Sequence, residues 1–250
     1  MRTNLSSQIS LNRVSTRYYK PENTIDRSVL TRFEKIPTNI YETVDEGVKC
    51  IADEVIRKIQ ERQHDGKFCT LALGTGASLR PLYAELVRRH KEEGVSFRNA
   101  VIFNLYEYYP LSEQGSSSIG QLNELFLNQV DIDRQNVFTP DGTIPQDAVI
   151  DHCLLYEQRI KTYGGLDIVL MGIGREGNVA MNEPGSTAAS ITRLIFVDST
   201  SRSEAAHNLG VDNLPPCSIT MGINTIMEAR RVYLLAWGDD KTDIIKQAVE

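Results

Sequence analysis

Along the chain, short unbroken apolar runs alternate with longer stretches in which apolar residues recur every third or fourth position. Val44, Val48, Ile51, Ala52, Val55, Ile56 and Ile59 lie on one helical face, and the polar residues between them point away from it. Asp65-Gly66 ends that helix, and residues 68–73 read as a buried strand. A glycine turn follows, and Leu79, Leu82, Tyr83, Leu86 and Val87 form the next helical stripe. Residues 100–105 read as a strand. Ile119, Leu122, Leu125, Phe126 and Val130 mark a helix, and residues 147–163 another, closed by Gly164-Gly165. Residues 166–171 form a branched apolar run that suits a strand buried on both faces. Further on, residues 193–197 and 231–237 read as strands, and residues 201–209 as a helix. A short helix is expected within 219–228, and another helix begins at 240. This alternation predicts an α/β fold: a modified doubly wound, Rossmann-like, mainly parallel sheet with helices on both faces.

Residues 1–40 lack this pattern and carry turn chemistry, so they are expected to form an N-terminal arm. Residues 41–250 are expected to form one domain, because no shift in composition divides them. The net charge of −6 argues against nucleic acid as the main partner. The four cysteines have neither disulfide nor zinc spacing, which fits a reduced, cytoplasmic setting. No run approaches membrane-spanning length, and the first seven residues lack a signal-peptide core.

Two loops carry the candidate chemistry. Gly74-Thr75-Gly76-Ala77-Ser78 links a strand to a helix start, where backbone N–H groups and the helix dipole suit an anion. The Gly-Lys-Ser/Thr ending of a P-loop is missing. The second loop opens from the strand at 166–171 and reads Gly172-x-Gly174-x-x-Gly177-x-x-Ala180-x-Asn182-Glu183-Pro184. Open α/β sheets bind ligands at the carboxyl ends of such strands.

That second loop resembles the signature of the glucosamine-6-phosphate deaminase/isomerase family, relatives of the 6-phosphogluconolactonases. The resemblance runs from about Val44 to the end and includes Val95-Ser96-Phe97, Phe103-Asn104, Val130-Asp131-Ile132, residues 138–142 and Arg202. It implies a modified doubly wound sheet, a sugar phosphate as partner, no metal and no redox cofactor. A homo-oligomer is also expected. Relatives continue past the position matching Glu250, so the chain is expected to be the N-terminal part of a longer polypeptide.

The chemistry implied is aldose–ketose isomerisation with loss of ammonia. A histidine oriented by carboxylates opens the sugar ring, and an aspartate takes the C2 proton. The family's Asp-Gly-His falls on Glu176-Gly177-Asn178, and its later glutamate falls on Glu183. The proton-abstracting aspartate falls on Tyr106, with Glu107 next to it. An amide does not titrate near neutrality, and a phenol is a poor base there. On an extended chain the Glu107 side chain is expected on the face opposite Tyr106. Phosphate is expected at Gly74, Thr75, Gly76, Ala77 and Ser78, helped by Arg80 or His207. The family's arginine and lysine at that site fall on His207 and Pro216. A regulatory anion site of some relatives falls on Ser186, Arg193 and Ile195.

Structural alternatives exist for each residue. Tyr106 would cap its strand, Asn178 would bond its own loop, and Glu183 would cap a helix or pair with Arg193. Two functions follow. One is a glucosamine-6-phosphate deaminase/isomerase-like protein, yielding fructose 6-phosphate and ammonia, with Glu107 or Glu176 as a replacement base. The other is a catalytically degenerate sugar-phosphate-binding or regulatory domain attached to another catalytic domain. Lactone hydrolysis, the sister family's reaction, also leans on a histidine that position 178 lacks.

Overall fold

The computed structural model describes residues 24–25, 36–112, 116–209 and 211–249. Most of the arm expected over residues 1–40 lies outside the described residues. Helix α1, Val44–His64, starts where the Thr43 hydroxyl accepts the Glu46 N–H at 3.2 Å, satisfying one of the orphan donors of the first turn. Strand β1, Cys69–Leu73, leads through a short 3-10 turn into α2, Arg80–Glu93. Gly94 ends α2 in the left-handed conformation, φ 72°. Strands β2, Ala100–Asn104, and β3, Tyr106–Tyr109, are separated by Leu105 alone. Then come α3, Ser118–Leu125, β4, Val137–Phe138, α4, Val149–Thr162, and β5, Ile168–Gly172. The chain continues with β6, Arg193–Phe196, α5, Ser199–Leu209, β7, Cys217–Thr220, and α6, Ile223–Met227. It finishes with β8, Arg231–Leu235, and α7, Thr242–Val249.

Five strands form a wholly parallel sheet in the order β4-β2-β1-β5-β8. Successive residues of a strand point to opposite faces, and here both faces are covered. Leu71, Leu73, Ile102, Ile168 and Leu170 join α1, α2 and α3 in one core. Ala72, Val101, Phe103, Val169 and Met171 join Tyr156 and Ile160 of α4 in a second.

Uniform strand–helix alternation does not hold. Strands β3, β7 and β6 form a separate antiparallel sheet, with Tyr106 opposite Thr220 and Arg193 also opposite Thr220. Strand β6 was expected, but not its antiparallel direction; β3 and β7 were not expected, and β7 overlaps the start of the short helix expected within 219–228. Four residues are too few for a period of two to declare itself unless they are mostly apolar.

At the amino edge of the parallel sheet, Asp167 is buried and ties three segments together. Its carboxylate accepts from the Arg62 Nε at 3.1 Å and from the Thr70 N–H at 3.0 Å, and the Arg230 guanidinium lies 3.5 Å away. Burial alone would raise this acid. The bonds from Arg62 and Thr70 and the two guanidinium charges outweigh it and hold the carboxyl below the usual carboxylate range. Among the described residues no helix is long and apolar enough to cross a membrane.

Candidate functional site

The carboxyl ends of β1, β2 and β5 meet at one pocket of about 470 Å³, a size suited to a small molecule. After β1 the chain is held on both sides: the Gly74 N–H donates to the Leu170 carbonyl at 3.1 Å, and the Tyr83 hydroxyl donates to the Gly74 carbonyl at 2.5 Å. The Trp237 indole donates to the Ser78 carbonyl at 2.8 Å and fastens the far end of the turn. Gly74, Thr75, Gly76, Ala77 and Ser78 all line the pocket.

Leu105 joins the two sheets. Its N–H donates to the Leu73 carbonyl of the parallel sheet at 3.0 Å, and its carbonyl accepts the Met221 N–H, at the end of β7, at 2.8 Å. Tyr106 therefore enters the pocket on a strand fixed by both sheets. Its hydroxyl lies 2.8 Å from the Thr75 hydroxyl, which lies 3.3 Å from that of Ser118. Burial raises the Tyr106 phenol above its ordinary value, although the hydroxyls of Thr75 and Ser118 act the other way. This phenol stays protonated at neutral pH.

The loop after β5 folds on itself. The Gly174 N–H donates to the Asn178 carbonyl at 2.9 Å, and the Asn182 amide donates to the Val179 and Met221 carbonyls. Ala180, at φ 51°, is the one non-glycine residue with a left-handed backbone among the described residues. Asn178 lines the pocket, and its Oδ1 is buried with no hydrogen-bond partner among the described residues. A Cβ on Gly174 would lie 1.8 Å from that oxygen. Asn178 Cγ would lie 2.6 Å away as well, so Gly174→Ala is expected to swing the whole Asn178 side chain aside, at a cost in folding free energy of about 1 kcal/mol or less. A moved Asn178 side-chain amide resonance with a little-changed melting temperature is the result to look for.

Three expected site residues lie outside the pocket lining. Glu107 faces away from Tyr106, as the pleat requires. It is 1% exposed and accepts N–H bonds from Tyr108, Ser118 and Ile119 at 2.9, 2.7 and 3.0 Å. Burial raises its carboxyl above the ordinary value, opposed by those three bonds. Its carboxylate caps the start of α3 and does not face the pocket. Glu176 is exposed at the loop tip, because Gly177, at φ 85°, turns the chain there. Glu183 sits behind the Ser201 hydroxyl, which donates to its carboxylate at 3.1 Å, and its other oxygen is buried without a partner among the described residues. Glu183 does not pair with Arg193, which donates instead to Asn182 Oδ1 at 2.8 Å and Ser186 Oγ at 3.1 Å. Asn178, Tyr106 and His207 do line the pocket.

The structure adds residues that sequence reasoning missed. Ser201 and Glu204 of α5, Arg175 of the β5 loop, and Asp240 and Lys241 after β8 all line the pocket. The available signal was positional: every loop leaving a parallel strand lands on the same edge of the sheet.

A parallel sheet covered on both faces, with a pocket at its carboxyl edge, defines an α/β protein of the doubly wound class. Residues 42–250 match the family described as glucosamine-6-phosphate isomerases/6-phosphogluconolactonase, and the chain belongs to that family. It is 57% identical, over 252 residues, to a glucosamine-6-phosphate deaminase-like protein of Bacteroides thetaiotaomicron; the match covers all of this chain and 38% of that relative, so the chain spans under two-fifths of its length. It is 34% identical over 212 residues to glucosamine-6-phosphate deaminase of Bacillus velezensis, covering 84% of each chain. The solved structure of a monomeric glucosamine-6-phosphate deaminase superposes with a TM-score of 0.77 at 31% identity, covering 83% of this chain and 84% of that one. A 6-phosphogluconolactonase from Trypanosoma brucei shares the fold, with a TM-score of 0.65 at 20% identity over 84% of this chain and 86% of that one.

Proposed function

We propose that this chain is a deaminase-like domain that binds a phosphorylated amino sugar in the pocket without deaminating it. One observation carries the reading. The two positions where the resemblance puts the base and the ring-opening group hold Tyr106 and Asn178, and Glu107, Glu176 and Glu183 all lie outside the pocket lining. Proton transfer at a sugar carbon needs a group that titrates near the working pH. A buried phenol and an amide do not supply one.

Binding is supported by what remains. The Gly74–Ser78 turn leads into a helix start, which favours an anion. Asn178 also lines the pocket, and its side-chain amide carries both a donor and an acceptor suited to sugar hydroxyls. The test is calorimetry with glucosamine 6-phosphate and glucosamine, beside an ammonia-release assay on the same protein. The expected result is binding of the phosphorylated sugar, weaker binding of the free sugar, and ammonia release no faster than in buffer. Turnover above buffer would establish the deaminase reading instead, with the base to be sought among His207, Glu204 and Asp240 of the pocket wall.

A further inference from the structure

Four charged side chains from three separate segments converge on the pocket: Arg175 from the β5 loop, Glu204 from α5, and Asp240 and Lys241 from the turn after β8. Lys241 Nζ lies 3.1 Å from Glu204 Oε1, and its side chain is only 12% exposed. Arg175 Nε lies 3.7 Å from the same oxygen, and its guanidinium reaches Asp240 Oδ2 at 3.7 Å. The Arg175 backbone N–H also approaches Glu204 Oε2 at 3.5 Å. The turn bearing Lys241 begins just after Trp237, whose indole holds the Ser78 carbonyl. The cluster is thus tethered to the Gly74–Ser78 turn.

Stability alone does not account for this arrangement. The Arg175 contacts are long and its side chain is 62% exposed, so they contribute little. The Lys241–Glu204 pair withdraws a lysine from water at the wall of a cavity, which costs desolvation energy. A phosphate dianion offers both cations more charge and more acceptor oxygens than one carboxylate does.

We propose that Lys241 and Arg175 are the cations of an anion subsite in this pocket, and that Glu204 neutralises them until a phosphate group displaces it. The inference deepens the sugar-phosphate reading and rests on it for the identity of the ligand. Binding would open the Lys241–Glu204 pair and draw the β5 loop and the β8 turn onto one group.

The test is titration of the whole chain with inorganic phosphate and, separately, with glucosamine 6-phosphate, for the wild type and three variants. Lys241→Met is expected to weaken both ligands about tenfold. Lys241→Arg keeps the charge and should recover part of that loss. Glu204→Gln should tighten both ligands severalfold, because Lys241 then loses its carboxylate and only Asp240 still faces Arg175. Phosphate affinity unchanged by Lys241→Met, or weakened by Glu204→Gln in a variant that unfolds like the wild type, overturns the proposal. If Lys241→Met does not fold, the Glu204→Gln and Lys241→Arg arms decide. A wild type that binds inorganic phosphate with the expected pattern but not glucosamine 6-phosphate removes the sugar reading and leaves the subsite. If neither the wild type nor Glu204→Gln binds phosphate, the subsite falls.

Discussion

Replacing Glu107 with alanine is expected to destabilise the protein by about 3–4 kcal/mol. The carboxylate accepts three backbone N–H bonds in a site it almost fills. Its removal strands two donors at the start of α3 and one on β3, and an unpaired buried donor costs far more than a bond exchanged with water. The pH dependence separates the charge from the shape. The folded-state carboxyl is raised by burial, so its contribution is complete below the ordinary carboxylate range and is lost as pH rises through its folded value. Glu107→Gln lacks that slope. Its deficit relative to wild type should therefore shrink between about pH 4 and neutrality. Urea unfolding of both variants across that range is the measurement. An alanine variant as stable as the wild type would remove Glu107 from its capping role.

The second large effect is at the opposite edge of the sheet. Arg62→Met leaves Asp167 buried with the Thr70 donors and the half-exposed Arg230 as its remaining partners, and breaking a buried pair from one side costs about 3 kcal/mol or more. Here the sign with pH is reversed. The wild-type carboxyl is held low, so its contribution is present above the ordinary carboxylate value and is lost as pH falls through the folded one. In the variant, burial acts without Arg62 to oppose it. The gap between the two proteins should be widest at neutral pH and should close as the solution is acidified. A gap independent of pH would mean that the guanidinium acts through packing alone.

These two carboxylates show what the sequence could and could not reveal. Four of the five parallel strands, β1, β2, β5 and β8, were legible because nearly unbroken apolar runs mark strands covered on both faces, whereas β4, of two residues, was not. The Gly74–Ser78 turn and the Gly172–Pro184 loop were legible because they follow buried strands at the sheet edge where ligands bind, and because the second resembles a family signature. The pleat also anticipated the outward turn of Glu107. It could not anticipate the partners of that side chain, since Ser118 and Ile119 lie eleven and twelve residues further along the chain. The antiparallel sheet was hidden for a related reason: Cys217–Thr220 is too short to show a period, and its pairing with Tyr106–Tyr109 spans more than a hundred residues. Lys241 was read only as the start of a helix, because its pocket-facing role depends on where β8 ends beside Ser78.

Leu105 has a consequence for how the molecule comes apart. One peptide unit on either side of this residue serves two sheets, so neither ladder can open at that point without releasing the other. Local fluctuations in proteins follow cooperative boundaries, and this boundary runs around the cavity rather than through it. The wall that carries Tyr106 is therefore expected to open only together with both ladders, while the loops that face it remain free to close on a ligand.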